Sequence, residues 1–252
     1  MKFCGVDLGW VAAPSGLCCL VWRQGCLSCQ ELARCEALEA VYAWLQAAIP
    51  PGEPGLVAVD APTLIPNATG MRQPDRLAHQ YFGRYHAGCY PANQGRPFAA
   101  RTVAVGEYLE ALGFAHAPTI RPQQPGRYQI EVFPHAAIVE LFRLERILKY
   151  KKGPLAGRRL ELQRLQRFLA EQLPRQEPAL VWGPELPREL RWDLAACRGR
   201  ELKDIEDRLD SLVCAYVGAH WWYWGRARNW VLGDRAQGYI IVPQRQGGQP
   251  IG

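Results

Sequence analysis

Five acidic residues stand where a folded chain could bring carboxylates together: Asp7, Asp60, Glu131, Asp207 and Asp210. Each lies at the end of an apolar segment typical of a strand or at the start of one typical of a helix. Asp207 and Asp210 are three residues apart, so a helix places them on one face. Like charges a few ångströms apart repel and raise a pKa unless a cation joins them. Carboxylate oxygens suit Mg²⁺ or Mn²⁺ as that cation.

Two such ions about 3.5–4 Å apart can activate a water and stabilise the leaving oxygen in phosphodiester hydrolysis. We therefore predict a catalytic role for the five acids, and also for His135, which could shuttle a proton or contact the scissile phosphate. The predicted metal ligands are Asp7, Asp60, Asp207 and Asp210. The alternative for each acid taken alone is a helix cap or a solvated first helical turn.

The elements that must position these residues begin with three strands, one helix and a fourth strand. Alternation and apolar runs predict strands over 3–8, 16–22, 27–32 and 56–59, and helical periodicity predicts a helix over 35–49. The first and fourth strands both end in an aspartate. Parallel neighbours in an open α/β sheet place functional residues at their carboxyl ends, which favours an acidic site there.

The rest of the chain predicts an insertion over 61–126, rich in proline, glycine and aromatic residues, with helices near 73–86 and 102–112. A strand over 128–133 carries Glu131, and Pro134 suits the first turn of a helix. Further helices are predicted over 160–173 and 202–224, and a hairpin over 230–242. We expect one domain over 1–243 and a flexible tail over 244–252.

The composition is that of a globular protein, with 252 residues, a net charge of +6 and a pI of about 8.9. This mild basicity permits a nucleic-acid partner. No apolar run approaches the ~20 residues of a membrane helix. The N-terminus lacks the apolar core of a signal peptide, so we expect a cytoplasmic protein without a membrane partner. Cys26 and Cys29 have the spacing of a zinc site, but we interpret the nine cysteines as reduced, buried thiols.

Two segments combine the residue types that bind nucleic acid. Lys149 and Lys151 flank a tyrosine, where they could neutralise phosphates, although a solvated face is the alternative. The inserted segment offers rings, an amide and guanidinium groups suited to stacking and phosphate contacts. These candidate residues are Tyr90, Asn93, Arg96 and Arg101. We expect the aromatic side chains of segment 221–230 to pack in the core or to form the interface of a homodimer.

The motifs GVDLGW, VAVDAP, YPAN, EVFPHAA, LKYK, DRLDSLVCAY and GYIIVP occur in an order that resembles domain-of-unknown-function family 429, over residues 3–243. That family is regarded as ribonuclease-H-like and as a set of predicted nucleases. The chain also resembles, more distantly, the Holliday-junction resolvases, which carry one acid on the first strand, one on the fourth and a pair on the last helix. Asp7, Asp60, Asp207 and Asp210 match those positions, whereas Glu131 and EVFPHA lie outside that pattern.

The expected fold is therefore α/β, with a ribonuclease-H-like mixed sheet in β-β-β-α-β-α order, flanked by helices and carrying an insertion after the fourth strand. The expected function is that of a metal-dependent nuclease. One alternative is an actin- or sugar-kinase-like phosphotransferase, because Asp7-Leu8-Gly9 resembles the first phosphate loop of those enzymes. Their second glycine-rich loop is missing here. The other alternative is a non-catalytic nucleic-acid-binding module.

Overall fold

Seven strands form the central sheet in the order β5-β6-β4-β1-β2-β3-β7. The computed structural model describes residues 1–245. Its sheet strands are β1 (Lys2–Asp7), β2 (Ser15–Arg23), β3 (Cys26–Cys35), β4 (Gly55–Val59), β5 (Ala115–His116), β6 (Arg127–Glu131) and β7 (Leu180–Val181). β5, β6, β4 and β1 are parallel neighbours, β2 is antiparallel to β1 and β3, and β7 is parallel to β3. The sheet is therefore mixed but mostly parallel.

Helices cover both faces of this sheet. They are α1 (Leu38–Ala48), α2 (Gln73–Phe82), α3 (Ala99–Ala111), α4 (Pro134–Leu141), α5 (Leu155–Gln172), α6 (Arg188–Arg191) and α7 (Gly199–Trp224). α1 and α3 pack on one face, and α4, α5 and α7 pack on the other. A separate hairpin of β8 (Asn229–Asp234) and β9 (Gly238–Pro243) packs against α2. None of the helices within residues 1–245 is both long and apolar enough to span a bilayer.

The predicted opening order of three strands, a helix and a fourth strand is confirmed. Each residue of β4 is buried, as its uninterrupted apolar sequence predicts for a central parallel strand. α1 buries Val41 and Leu45 and ends before Pro50, which cannot continue a helix. α4 begins at Pro134, as predicted.

The segment 61–126, expected as an insertion over the sheet edge, contributes to the main layers as well. α2 lies beside the hairpin, but α3 buries Val105 and Leu109 against the sheet, and β5 extends the sheet next to β6. β5 and β7 have two residues each, and α6 has four. Sequence periodicity did not predict these three elements because they are too short to show a repeat.

The C-terminal region is held by specific contacts up to residue 245. The backbone amide of Gln244 donates to the Arg228 carbonyl over 2.9 Å, and Arg245 forms an ion pair with buried Glu140 at 3.0 Å. The first two residues of the predicted flexible tail are thus bonded to the domain. The remainder, 246–252, lies outside the described residues.

The aromatic segment before the hairpin packs inward at its start. Trp221 and Trp222 are buried, and their indole N–H groups donate to the carbonyls of Ala117 and Gln124. For these two tryptophans the core-packing interpretation is confirmed.

α7 lies directly against the backbone of β1 and β2, because glycines occupy the contact points. A Cβ at Gly5 would lie 2.0 Å from the Ser211 carbonyl oxygen, and one at Gly16 would lie 1.9 Å from that of Asp207. No side chain fits at either position without moving the helix. The close approach places the acidic pair of α7 beside the strand ends.

We predict that Gly5→Ala lowers the free energy of unfolding by about 1–3 kcal/mol, because the methyl group must displace α7 from β1. Urea titration followed by circular dichroism measures the effect. Gly157→Ala is the matched control: Gly157 lies within α5, and no atom lies within 4 Å of the place an added methyl group would take. That change should stabilise the helix by up to about 1 kcal/mol. Equal stability of Gly5→Ala and the unchanged protein would contradict the close contact.

Candidate active site

Two aspartates lie side by side at the carboxyl edge of the sheet. Asp7 is the last residue of β1, and Asp60 directly follows β4. The parallel register pairs Val6 with Val59, and the Asp60 amide donates to the Val6 carbonyl over 2.8 Å. The backbone of the two strands thus fixes the two carboxyl groups next to each other.

α7 adds the predicted pair. Asp207 and Asp210 are both buried on the face of α7 that meets the sheet. The charge of Asp210 acts on both Asp7 and Asp60, and that of Asp207 acts on Asp7. Four of the five predicted acids therefore form one cluster, which we call the acidic cluster.

Burial and mutual repulsion make ionisation of the strand-end acids unfavourable. Burial raises the pKa of Asp7 well above its usual range; Lys151 opposes this, and the Asp210 and Asp60 carboxylates add to it. Burial also raises the pKa of Asp60 to about 6, against the opposing effects of Lys151 and of a hydrogen bond with Asp7.

Lys151 is the cation at the centre of the acidic cluster. Its ammonium lies 2.7 Å from Asp210 Oδ2, while the Tyr150 hydroxyl donates to Asp210 Oδ1 over 2.6 Å. Burial alone would lower the pKa of Lys151, but Asp210, Asp7 and Asp60 together raise it well above its usual value. Lys151 was predicted to contact nucleic acid. The structure places its charge among the acids, on the lining of the cleft, so that contact stays a prediction.

Asp207 has its own counter-ions. Lys203 Nζ lies 2.7 Å from its Oδ1, and Arg34 Nε donates to its Oδ2 over 3.1 Å. Lys203 also lies 2.6 Å from Glu206. Asp207 is thus neutralised within the protein, in contrast to Asp7 and Asp60.

Glu131 lies in a different charge network, on the opposite face of the sheet. It is in register with Val59, which faces the α1 and α3 layer, so the pleat directs it away from α7. The Arg72 guanidinium donates to both of its carboxylate oxygens over 2.6 and 2.8 Å and also contacts Asp75. Burial raises the pKa of Glu131 to about 7, although Arg72 opposes this. Glu131 nonetheless lines the same cleft as Asp7 and Asp60, and the Asp60 carboxylate adds to the rise of its pKa, so it flanks the acidic cluster with Arg72 as its own counter-ion.

His135 lies at the start of α4, with its ring 5.5 Å from that of Tyr150. Burial lowers its pKa to about 4, and the nearby positive charge of Lys151 contributes. Its imidazole is therefore neutral at pH 7 and can accept a proton. Its Nδ1 is buried without a hydrogen-bond partner among the described residues.

A cleft of about 1110 Å³ opens over the acidic cluster. Asp7, Asp60 and Asp207 line it, whereas fully buried Asp210 lies beneath its surface. His135 also lines it. The remaining charged and aromatic lining includes Trp10, Tyr90, Phe133, Arg146, Lys149, Lys152 and Arg158. The cleft thus combines carboxylates, cations and rings, in a volume typical of ligand sites.

The other predicted nucleic-acid contacts divide into two groups. Lys149 and Tyr90 are exposed on the cleft lining. Arg101 and Asn93 instead form bonds within the protein: Arg101 donates to the Gly9 carbonyl, and the Asn93 side chain donates to that of Gly70. Arg96 lies over the Tyr90 ring, 5.1 Å from its centroid.

Several residues of the site were not predicted from the sequence: Trp10, Arg34, Arg72, Tyr150 and Lys203. Lys203 had a detectable signal, since it precedes Asp207 by four residues on the same helix. Trp10 follows the Asp7-Leu8-Gly9 turn directly, and its Nε1 donates to the Asp60 carbonyl over 3.0 Å. Arg34 comes from β3, and only the sheet topology brings it to α7.

The model of the family "Protein of unknown function (DUF429)" matches residues 5–234. The chain belongs to this family. No curated protein and no solved structure matches the chain. The family description assigns no activity, so the chemistry of this DUF429 chain must be inferred from its own site.

The residues of this DUF429 chain fit a divalent cation in charge and donor chemistry. Asp7 and Asp60 are two carboxyl groups that line the cleft and form no ion pair with any residue of the described chain 1–245, and their oxygens suit Mg²⁺ or Mn²⁺. No three histidine, cysteine or acidic side chains within residues 1–245 are arranged as a ready set of metal ligands. Asp210 is engaged by Lys151. The first ligands would therefore be Asp7 and Asp60.

We predict that Asp60→Asn stabilises the metal-free DUF429 chain at pH 8 but not at pH 4. The folded-state pKa of Asp60 is about 6, above its ordinary value of 3.8, so the folded state holds this proton more tightly. The contribution of Asp60 to the free energy of unfolding is fully present below about pH 4 and is lost as the pH rises through 6. The shift corresponds to about 3 kcal/mol, reduced by partial exposure to about 1–2 kcal/mol.

Thermal unfolding in EDTA at both pH values measures this difference. Asp193→Asn, which alters an exposed aspartate outside the cleft, is the control and should leave the pH profile unchanged. A lower unfolding temperature of Asp60→Asn at pH 8 would show that the Asp60 carboxylate is stabilised by its surroundings.

Proposed function

We propose that this protein is a metal-dependent nuclease that hydrolyses phosphodiester bonds of DNA or RNA. The observation that carries the proposal is the pair of carboxyl groups of Asp7, which is buried, and Asp60, which is half-buried, on the lining of a cleft that also presents cations and aromatic rings. Cations bind a phosphodiester backbone, and a divalent cation held by carboxylates can hydrolyse it. Cationic side chains and carboxylates are both available in the one cleft.

The proposed ribonuclease-H-like fold is supported by the strand order and by the positions of the acids. Three antiparallel strands, β1 to β3, are followed by a helix and by β4, which is parallel to β1. The acids end β1 and β4, and the pair lies on α7, which crosses these strands. This arrangement is the one expected from the resemblance to the resolvases.

A bound Mg²⁺ or Mn²⁺ would supply a Lewis acid that activates water and stabilises the leaving oxygen. Asp7 and Asp60 would hold it, with Asp210 contributing its charge from beneath. Binding of the cation would also lower the pKa of both strand-end aspartates, because an adjacent positive charge favours the carboxylate form.

The protein's own residues supply the remaining functions. Lys149 and Lys152 are exposed on the cleft lining, where they can neutralise backbone phosphates. His135 lines the cleft as a neutral imidazole, and it would accept a hydrogen bond from the attacking water or contact the scissile phosphate. Lys151 keeps a positive charge beside the acids. This charge attracts a phosphate group that approaches the cleft.

The bonds of the Asp7-Leu8-Gly9 turn support a nuclease over a kinase-like phosphotransferase. The Gly9 amide donates to the Ser15 hydroxyl over 3.0 Å, and the Gly9 carbonyl accepts from Arg101 over 2.8 Å. A phosphate loop would instead present its backbone amides to the nucleotide. The cytoplasmic location is part of the same proposal, and the nine cysteines, which are all free thiols, are compatible with it.

We predict that the purified protein cleaves at least one member of a panel of single-stranded, duplex and branched DNA and RNA, and only with Mg²⁺ or Mn²⁺. Asp7→Asn should lower the rate at least about 100-fold, because it removes a carboxylate from the site. Gel analysis of labelled substrates measures cleavage. Asp193→Asn should retain activity. An untouched panel, or ATP turnover by the same preparation, would contradict the nuclease proposal.

We predict that Lys151→Met raises the affinity for Mn²⁺ at least about tenfold, because it removes a positive charge beside Asp7 and Asp60. Electron paramagnetic resonance of free Mn²⁺ measures the affinity without any substrate. Lys152→Met is the control, since Lys152 lines the same cleft but forms no ion pair with the acidic cluster. Weaker Mn²⁺ binding by Lys151→Met would show that Lys151 supports the cation site instead of competing with it.

A further inference from the structure

Three aromatic rings form a packed cluster beside the acidic site, which we call the aromatic wall: Trp10, Tyr90 and Phe98. The Trp10 ring lies 4.5 Å from that of Phe98 and 6.4 Å from that of Tyr90. Phe98 is buried, whereas Tyr90 is 58% exposed. The wall therefore holds an aromatic ring in a fixed place while leaving much of its surface open.

The Tyr90 ring is restrained from several sides. Phe98 lies 6.1 Å from it in an edge-on arrangement, and the Arg96 guanidinium lies 5.1 Å from its centroid. An exposed ring with such supports loses little conformational entropy when a flat ligand stacks on it. Arg96 also adds a positive charge close to that stacking surface.

The aromatic wall is fixed relative to the carboxylates. Trp10 donates from its indole to the Asp60 main-chain carbonyl, and Arg101 holds the Gly9 carbonyl just before it. Gly9 itself is packed so closely on Ala13 that an added Cβ would lie 1.7 Å from the Ala13 carbonyl oxygen. A ligand stacked on Tyr90 would thus have a defined position relative to Asp60.

The same cleft also presents cations that are not part of the aromatic wall. Arg146, Lys149 and Lys152 are exposed on its lining, and the segment that carries them is distant in sequence from Trp10 and Tyr90. A ligand that fills the cleft can therefore present a flat ring to Tyr90 and negative charges to these residues. A nucleotide with an accessible base has both features, whereas a base inside a duplex has its faces covered by neighbouring bases.

We propose that Tyr90, supported by Trp10 and Arg96, is a stacking site for an unpaired nucleobase. The substrate is then a single strand, or a strand with an unpaired nucleotide next to the bond presented to Asp7 and Asp60. This inference rests on the proposed function, since it names the substrate class for that same cleft. It requires no covalent step beyond the hydrolysis already proposed.

The test measures binding separately from cleavage, in the full-length Asp7→Asn protein. Fluorescence anisotropy gives Kd for a labelled 12-nucleotide oligothymidine and for the same backbone made entirely of abasic sites. Tyr90→Ala should weaken binding of the oligothymidine about 5- to 150-fold and leave binding of the abasic strand unchanged. Tyr90→Phe should bind like the parent, and Tyr90→Leu like Tyr90→Ala, because leucine lacks the aromatic face.

Tyr108→Ala is the matched control, since Tyr108 stacks on Tyr42 at the surface of α1 and α3 and does not line the cleft. It should bind both strands like the parent protein. Circular dichroism checks that each variant is folded. A Tyr90→Ala effect that is equal for both strands, or absent from both, would overturn the stacking site.

Cleavage of nucleic acid and base-dependent binding at Tyr90 can be lost independently of each other. If the wild-type protein cleaves the substrate panel but Tyr90→Ala does not discriminate bases from abasic sites, only the stacking site is wrong. If duplex DNA without unpaired nucleotides is cleaved as fast as single strands, the proposed substrate class is also wrong. If no nucleic acid is bound or cleaved, both proposals are wrong.

Discussion

The position of the acidic cluster depends on the direct contact between α7 and the backbone of β1 and β2. Gly5 and Gly16 make this contact possible, because any side chain there would overlap main-chain atoms of the helix. The contact sets the height of α7 over the sheet and thereby the distance of Asp210 from the strand-end acids. Since protein interiors are close-packed, the strands cannot shift to compensate for a displaced helix. The core, not a surface loop, fixes the geometry of the carboxylates.

The charges of the cluster are compensated unevenly. Asp207 has Arg34 and Lys203 in contact, and Asp210 has Lys151 and a tyrosine hydroxyl. The partner of Asp7 in a side-chain hydrogen bond is Asp60, another acid, and burial raises the pKa of both. The two acids of the helix are thus paired with cations, including Asp207, which lines the cleft, whereas the two strand-end acids remain available to a ligand. Proteins commonly retain such unfavourable electrostatics where function requires it.

The sequence predicted what depends on strand ends and helical spacing. Asp7, Asp60 and the α7 pair were found because parallel strands end at one edge and residues three apart share a helix face. Glu131 was assigned to the same cluster because its strand is a neighbour. Its register with Val59, which the sequence does not reveal, directs it to Arg72, on another part of the lining of the same cleft. Lys151 was predicted as a phosphate-binding cation, and its ion pair with Asp210 was not foreseen because Asp210 lies 59 residues further along the chain.

The cleft draws its parts from two kinds of structure. Its carboxylates come from the sheet and the packed helix, whereas exposed Tyr90, Arg146, Lys149 and Lys152 come from connecting segments. Such segments can change with little effect on a rigid scaffold. The Trp10 hydrogen bond to the Asp60 carbonyl joins the two parts. Substitutions in the connecting segments would therefore alter which ligand enters the cleft, whereas substitutions at the glycine contacts would alter the carboxylate site itself.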